Sequence, residues 1–319
     1  RGVKTNIPFL ENVINHPVFQ SGEATVKFIE KYPELFNFRK KQDSGTRVLR
    51  YVANVIVNGN PDVTKMDPSR TFDLPRLPTS KITGPPRAGT KQKLDDMGPE
   101  KFAQWLSSEK KVKFTDTTYR DAHQSLLATR VRTNDFLQVA RNYALHHPQT
   151  FSMEVWGGAT FDVALRFLHE CPWKRLQLLR EAIPNICLQM LIRGNNAIGY
   201  SAYPNNLVES FIEQSWKNGV DIFRIFDSLN WTKSMEVSIN AVRERTGGIA
   251  EACISYTGDI LDPKKAKYNL NYYLDLAKDL EDKGAHILCI KDMAGLLKPY
   301  SATLLIEELK KSVSLPIHL

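Results

Sequence analysis

Cysteine is scarce in this sequence, and the few cysteines present do not have a metal-binding pattern. The 319 residues include four cysteines, at Cys171, Cys187, Cys253 and Cys289. None of them belongs to a CxxC pair, and three lie inside apolar runs. We therefore predict buried thiols in a reducing compartment, and the spacing argues against a disulfide framework or a zinc site.

Long apolar runs and concentrated charge are also absent. No apolar run reaches the length of a membrane-spanning helix, so we expect no membrane partner. The net charge is +8, but the lysines and arginines are scattered apart from a short run at Arg39, Lys40, Lys41 and Arg47. Such a run is typical of a solvated face or a domain contact. We therefore expect no nucleic-acid partner, although the positive charge suits an anionic substrate.

The chain also lacks an initiator methionine and a signal peptide. Its first residues, RGVKTNIPFLENVI, look like the interior of a domain, so we expect an internal segment of a longer protein. Residues 1–38 have apolar residues at helical spacing and are predicted to be helical. Residues 39–95 contain one apolar helical segment, Val48 to Val57, and then a proline-rich stretch that predicts a linker. Residues 96–319 form a third region.

From residue 112 onward, short apolar runs alternate with amphipathic helical segments. The runs lie at 112–118, 151–156, 186–193, 221–228, 252–258, 286–292 and 315–319. Helical patterns lie at Phe161 to Phe167, Leu207 to Trp216, Tyr272 to Leu280 and Ala302 to Leu309. This alternation predicts an α/β fold with a parallel sheet, and its period favours a (β/α)8 TIM barrel that is incomplete at its C-terminus. No glycine-rich fingerprint follows the first run, which argues against a Rossmann fold.

In such a barrel, reactive groups gather at the carboxyl ends of the strands. Polar or aromatic residues stand there after six of the runs: Asp121 with Gln124, Trp156-Gly157-Gly158, Arg193, Asp227, Tyr256 with Asp259, and Lys291-Asp292. The densest cluster lies in residues 114–133, which alone could be a turn with solvated charges. Together with the other strand ends it predicts a site for a metal or an anion. His123 is predicted to be a structural hydrogen-bonding residue, and Lys291 on this evidence could be a salt-bridge partner of Asp121 or Asp292.

Several longer motifs carry a resemblance to a known family. They are DTTYRDAHQSLLATRVRT, SMEVWGGATFDVALRFL, ECPWKRLQLLREAIPN, RGNNAIGY, FRIFDSLN, SYTGD and IKDMAGLLKP. Together they closely resemble the carboxyltransferase domain of the pyruvate carboxylases, nearly continuously from residue 112 to 319. The segment KTNIPFLENVINHPVFQSGEATVKFIE resembles the end of that family's biotin carboxylase domain, which implies a boundary at residue 38. Residues 39–95 resemble its allosteric, tetramer-forming linker.

The resemblance implies a metal site. Asp121 matches the metal-binding aspartate of the family, and Lys291 matches a lysine that is carbamylated and ligates the metal. A carboxylate and a carbamate both offer the anionic oxygen that Mn²⁺, Zn²⁺ or Mg²⁺ accepts. Two further histidine ligands are expected just beyond Leu319, so His318 is not counted as a ligand.

The resemblance also implies a substrate site. Arg193 matches the arginine that holds the carboxylate of pyruvate, and Gln124 matches a glutamine that hydrogen-bonds pyruvate. Arg120 is expected to orient these groups. Asp162 and Tyr200 match residues that line the pocket, where a structural role is an equal alternative. A threonine that moves a proton between biotin and pyruvate is expected later in the family sequence.

The implied reaction is carboxyl transfer from carboxybiotin to pyruvate, which gives oxaloacetate through a metal-stabilised enolpyruvate. Biotin is expected on a domain outside this chain, and ATP and bicarbonate are expected to be used by the biotin carboxylase domain. The expected assembly is a homotetramer with a possible acyl-CoA effector. The expected location is the cytoplasm of a bacterium, or the mitochondrial matrix if the source is eukaryotic.

Two other classes of function are compatible with parts of the sequence. One is a different metal-dependent enolate enzyme on the same barrel, such as a lyase or a condensing enzyme, which the RDxxQ pattern alone does not exclude. The ECPWKRL and RGNNAIGY motifs and the N-terminal segment argue against it. The other is an assembly module without activity, and the presence of Asp121, Gln124, Arg193 and Lys291 argues against that reading.

Overall fold

The computed structural model describes residues 5–38, 44–60, 77, 81–264 and 266–319. Contacts divide the chain into two compact units, Arg1–Pro75 and Arg76–Leu319. Most of the predicted proline-rich linker, and the basic residues Arg39 to Lys41, lie outside the described residues. Among the described residues, no helix combines the length and the apolar character needed to cross a bilayer.

The first unit is helical, as the apolar spacing predicted. Its helices are Ile7–Asn15, Pro17–Gln20, Phe28–Lys31 and Ser44–Asn58, with a 3₁₀ turn at Pro33–Phe36. Phe9 stacks on Phe36 with ring centroids 5.1 Å apart, and Phe28 and Leu35 are buried. These contacts close a small apolar cluster around the first helices.

The second unit is built on one parallel sheet of seven strands in sequential order. The strands are β1 (Thr115–Asp116), β2 (Ser152–Trp156), β3 (Cys187–Ile192), β4 (Ile222–Ile225), β5 (Ile249–Ser255), β6 (Ile287–Lys291) and β7 (Ile317–His318). Each one falls on a predicted run, although β5 begins three residues earlier than its run. A sequential parallel order requires a crossover after every strand, which is the connection of a β/α barrel.

Helices form those crossovers and cover the outer face of the sheet. They are His123–Leu127, Thr133–His146, Gly158–Val163, Pro172–Ala182, Asn205–Lys217, Thr232–Arg245, Leu270–Asp282 and Pro299–Ser312. The four predicted helical segments are confirmed, and two of the helices are followed by a glycine with positive φ, Gly219 and Gly284. The outer apolar core lies between these helices and the sheet.

Two further helices, Thr90–Met97 and Pro99–Ser108, close the amino ends of the strands. Leu94 and Phe102 from these helices pack in one buried cluster with first residues of strands, including Cys187, Ile222 and Ile249. This end of the sheet is therefore filled with apolar side chains. The polar side chains predicted at the site follow the opposite, carboxyl ends of the strands.

The sheet is strongly curled. The ring of Phe151, just before β2, lies 6.3 Å from the ring of His318 in β7. Arg224 in β4 reaches Glu154 in β2 across the concave face. The predicted incomplete (β/α)8 barrel is confirmed as a curled parallel sheet with helices outside.

Candidate active site

The turn after β1 brings three predicted site residues together. A π-helical turn, Thr118–Ala122, follows the strand, and the carboxylate of Asp116 accepts the N–H of Thr118 at 2.7 Å. Such turns are frequent at functional sites because they redirect side chains. This one turns Arg120 into the protein, while the helix that follows carries Gln124.

Arg120 is the centre of the cluster. Its guanidinium donates to Glu154 through Nε at 2.8 Å and contacts the same carboxylate through Nη2 at 2.7 Å. Its Nη1 lies 3.0 Å from Oδ1 of Asp121 and 3.4 Å from Oε1 of Gln124. Arg120 is buried, whereas the side chain of Asp121 is 51% exposed. The buried arginine therefore fixes two neighbouring side chains that remain accessible at the mouth.

A row of charged side chains continues from Arg120 through the interior of the curled sheet. Arg224 lies 3.5 Å from Glu154 and donates through Nε to Glu251 at 2.9 Å. His318 Nδ1 lies 3.1 Å from the same Glu251 oxygen. Opposite charges therefore alternate along the row, which is the condition for keeping buried charges ionised.

The ionisation of Glu251 follows from that row. Burial opposes its charge, but His318 and Arg224 outweigh the burial and lower its pKa to about 2. The pKa of His318 is raised, because the attraction of Glu251 exceeds the effect of burial. His318 is thus held by a carboxylate.

Lys291, the last residue of β6, lies on the interior face of the sheet, on the same side of the strand as Cys289 two residues before it. Its Nζ is 5.0 Å from the centre of the Phe226 ring. Within the described part of the chain it forms no ion pair, so the salt-bridge alternatives with Asp121 and Asp292 have no support. The Asp292 carboxylate instead accepts backbone N–H groups of the loop that follows.

Arg193 and Tyr200 lie together in the loop after β3. The Arg193 carbon Cζ is 5.5 Å from the Tyr200 ring, and Nη1 donates weakly to the Gly199 carbonyl at 3.4 Å. Both side chains are exposed. At Gly194, with φ +38°, a Cβ would lie 2.6 Å from the Ser234 carbonyl oxygen, so the backbone beside Arg193 packs too closely for another residue. The guanidinium thus projects from a tightly held loop.

Asp162 follows β2 on the helix Gly158–Val163, whose first residue packs against the same loop. A Cβ at Gly158 would lie 2.8 Å from the Ile198 carbonyl oxygen. The Asp162 carboxylate pairs with Arg166 at 2.6 Å, one helical turn away. Its contact in this structure is therefore with its own helical segment.

Two aromatic residues predicted at the mouth do not face it. Trp156 is fully buried among aromatic rings, stacking on Phe211 at 5.8 Å, because the pairing of β2 and β3 shifts register before it. Tyr256 is also buried, and it stacks on Tyr273 at 5.1 Å. That part of the prediction was wrong, since both rings pack under the outer helices.

Other predicted polar residues hold loops. Asp227 accepts the N–H groups of Leu229 and Trp231, and Asp259 pairs with Lys298 at 2.9 Å. His123 packs edge-on against Phe136, and burial with nearby Arg175 lowers its pKa to about 4. Neither His123 ring nitrogen has a hydrogen-bond partner among the described residues, contrary to the predicted hydrogen bond.

The interior charges were not predicted from the sequence, and the predicted burial of one cysteine was wrong. Glu154, Arg224 and Glu251 each interrupt an apolar strand, and that interruption was the available signal. Cys187, Cys253 and Cys289 are buried free thiols as predicted, but Cys171 is exposed.

Comparisons with known proteins connect this geometry with one group of enzymes. The chain is 54% identical to the pyruvate carboxylase of Bacillus subtilis and 51% identical to the mitochondrial pyruvate carboxylase of Homo sapiens. Both matches cover 100% of this chain, and they cover 28% and 27% of the two relatives. The chain thus spans a little over a quarter of their length. No protein-family model matches the chain.

Solved structures agree. A complete multifunctional pyruvate carboxylase from Rhizobium etli is 50% identical with a TM-score of 0.75, and the match covers 100% of this chain and 29% of that one. The carboxyl transferase domain from that organism with pyruvate is 50% identical with a TM-score of 0.76, over 87% of this chain and 47% of that one. The resemblance found in the motifs is therefore confirmed, and the chain is similar over its whole length to a segment of the pyruvate carboxylases.

Proposed function

We propose that this chain forms the greater part of a site that transfers a carboxyl group from carboxybiotin to pyruvate. The observation that carries the proposal is the arrangement of Arg120, which is buried and bonded to both Asp121 and Gln124 at the carboxyl end of β1. The similar Rhizobium domain has been solved with pyruvate, with oxamate and biotin, and with pyruvate and biocytin. Those ligands belong to that protein, and they support the same substrate class here.

The residues present fit a divalent metal. Asp121 offers a half-exposed carboxylate, and Lys291 has an amine that no described carboxylate neutralises. If its neutral amine attacks CO₂, a carbamate forms and one proton is released, which turns a cation into an anionic oxygen donor. Asp121 and Lys291 would then hold the metal with two histidines expected after Leu319. When bound, Mn²⁺, Zn²⁺ or Mg²⁺ would supply a Lewis acid.

The protein groups around that position would bind and orient pyruvate. Arg193 presents a planar fork of donors from a rigid loop, which suits a bidentate contact with the pyruvate carboxylate. Gln124 directs its oxygen to Arg120, so its amide N–H groups are left to donate to the keto oxygen. Tyr200 stacks beside Arg193 and would restrict its guanidinium, and Asp162 is proposed to act through the helix that packs on this loop.

The chemistry of the reacting atoms follows from this orientation. A methyl proton leaves pyruvate, and the resulting enolate carbon attacks CO₂ released from carboxybiotin, which gives oxaloacetate. The proton would pass to biotin through the threonine expected outside this chain. Arg120 and Gln124 would lie beside the enolate oxygen, where positive charge and donors stabilise the developing negative charge.

We extend the proposal to the whole protein on the same basis. Residues 1–38 would end a biotin carboxylase domain that uses ATP and bicarbonate, and residues 39–95 would belong to an allosteric and tetramer-forming region. One related Rhizobium structure contains the allosteric activator acetyl coenzyme A, which supports an acyl-CoA effector. The similar enzymes include a bacterial one and a mitochondrial one, so the proposed location is the cytoplasm of a bacterium or the mitochondrial matrix.

The substitution Asp121→Ala in the intact protein tests the proposal. We expect loss of bound metal and of oxaloacetate formation, while ATP-dependent carboxylation of biotin continues at the wild-type rate. Asp96→Ala is the matched control, because Asp96 is exposed on the helix Thr90–Met97 at the opposite end of the sheet. Unchanged metal content in Asp121→Ala would contradict the ligand role. Wild-type carboxyl transfer in the same variant would contradict the proposed function.

A further inference from the structure

Two cysteines and a glutamate converge inside the curled sheet, one layer below the proposed catalytic groups. Cys253 in β5 and Cys289 in β6 are directly paired in the strand register, and each is 1% exposed. Glu251 precedes Cys253 by two residues, so it lies on the same face of β5. One ligand atom from each residue, two Sγ and one carboxylate oxygen, lies within 4.8 Å of the other two.

One oxygen of Glu251 points to a missing partner. Oε1 accepts a hydrogen bond from Nε of Arg224 at 2.9 Å and lies 3.1 Å from Nδ1 of His318. Oε2 has no hydrogen-bond partner among the described residues, although Glu251 is completely buried. Buried carboxylate oxygens are seldom left unpaired, because the lost hydration is not recovered. Among the described residues no donor fills this position, which leaves the oxygen available to a bound ligand.

We propose that Glu251, Cys253 and Cys289 form a binding site for a thiophilic divalent cation of the zinc class. Two sulfurs and one carboxylate oxygen suit such a cation, with bond lengths of about 2.3 Å to sulfur and 2.0–2.2 Å to oxygen. A tetrahedral site with these bonds separates its donors by roughly 3.3–3.8 Å. That spacing lies below the 4.8 Å that bounds the observed separations.

The charges around the site balance once the cation is bound. Each thiol loses its proton to solvent as its sulfur–metal bond forms, and Glu251 is already ionised, so the three ligands carry three negative charges. The two positive charges of the cation offset the two thiolates, and Glu251 keeps its place in the row of alternating charges between Arg224 and His318. Phe226 and Leu191 pack against the two cysteines and keep the site dry. The bound form therefore leaves no uncompensated charge in the interior.

This site is separate from the one proposed for catalysis. Cys289 precedes Lys291 by two residues on the same strand, so the two layers are about 6–7 Å apart along β6. The donors differ as well, since Asp121 and a carbamylated Lys291 offer only oxygen. The inference rests on the interior geometry alone and does not depend on the proposed function.

Zinc uptake by the intact protein tests the inference. The protein is produced in zinc-supplemented medium, so that zinc is available while the interior forms, and X-ray absorption at the zinc edge then reports the ligand atoms. We expect a shell of sulfur at about 2.3 Å. Cys253→Ser and Cys289→Ser should each reduce that shell from two sulfurs to one or abolish it, because serine nearly keeps the volume but has no sulfur. Cys187→Ser is the matched control, since Cys187 is equally buried but lies at the amino end of β3.

The outcomes separate clearly. A shell of two sulfurs that is kept in Cys187→Ser and reduced or lost in both other variants supports the site. No sulfur shell in the wild-type protein, or an undiminished shell in either Cys253→Ser or Cys289→Ser, overturns it. Near-ultraviolet circular dichroism verifies that each variant is folded, and Cys289→Ala replaces Cys289→Ser if the buried hydroxyl prevents folding. If the wild-type protein has the sulfur shell but no carboxyl transfer, that result counts against the proposed function and not against this site.

Discussion

The substitution Glu154→Gln should weaken the interior of the sheet far more than an ordinary loss of one surface charge. Glu154 is completely buried and neutralises Arg120 through contacts of 2.7 and 2.8 Å, with Arg224 a further 3.5 Å away. Glutamine keeps the shape but removes the charge, and its amide nitrogen cannot accept from a guanidinium. Breaking a buried pair from one side costs about 3–5 kcal/mol, because the remaining charge is left uncompensated.

The assay is hydrogen exchange of the intact protein, read by mass spectrometry on peptides from β2 and β4. Since 1.4 kcal/mol is about tenfold in an equilibrium constant, the expected loss of local stability speeds exchange there roughly 100- to 5,000-fold. Glu308→Gln is the control, because Glu308 pairs with Lys311 on the solvent-facing side of the helix Pro299–Ser312, and surface pairs contribute little. If exchange in β2 and β4 stays at the wild-type rate in Glu154→Gln, the interior row does not support the sheet as argued.

Three further results are expected. Arg193→Lys should lower kcat/KM for pyruvate roughly 10- to 100-fold, because an ammonium cannot form two parallel bonds with a carboxylate; an unchanged kcat/KM would remove Arg193 as the carboxylate ligand. Lys291→Arg should abolish carboxyl transfer as fully as Lys291→Ala, because a guanidinium does not form the carbamate. An active Lys291→Arg enzyme, together with an unmodified Lys291 in the wild type, would refute the carbamate. Because the folded pKa of Glu251, about 2, lies below its ordinary 4.5, its contribution to stability is complete above pH 4.5 and is lost as the pH falls toward 2. In Glu251→Gln the unfolding midpoint should depend less on pH across that interval, and an identical dependence would count against the assigned ionisation.

The strands could be predicted because each is a short apolar run, and buried parallel strands require little else of a sequence. The helix Thr232–Arg245 was not among the predicted segments, although Met235, Ile239 and Val242 recur at helical spacing on its buried face, beside the small residues Ser234 and Ser238. The periodic signal was therefore present in the sequence, but polar residues between the apolar positions weakened it.

The mouth of the sheet was predictable only in part. Strand alternation placed Lys291 on the interior face, and the same rule would have placed Tyr256 outside, because Ser255 before it faces inward. Trp156 was beyond that rule, since the irregular register between Glu154 and Trp156 reverses the side on which the ring emerges. A shift of that kind depends on how two strands pair and leaves no mark in one strand's own composition.

The interior row of charges has a consequence for how this unit folds. Its members come from the turn after β1 and from β2, β4, β5 and β7, which span residues 120 to 318 of the chain. An intermediate that has only some of these strands would contain a charge in an apolar interior without its counterion. Partly assembled sheets are therefore less stable. Because the charged partners are far apart in sequence, their favourable contacts form only late in folding. We expect the sheet to gain its stability in one concerted step, in contrast with repeat proteins whose units add one after another.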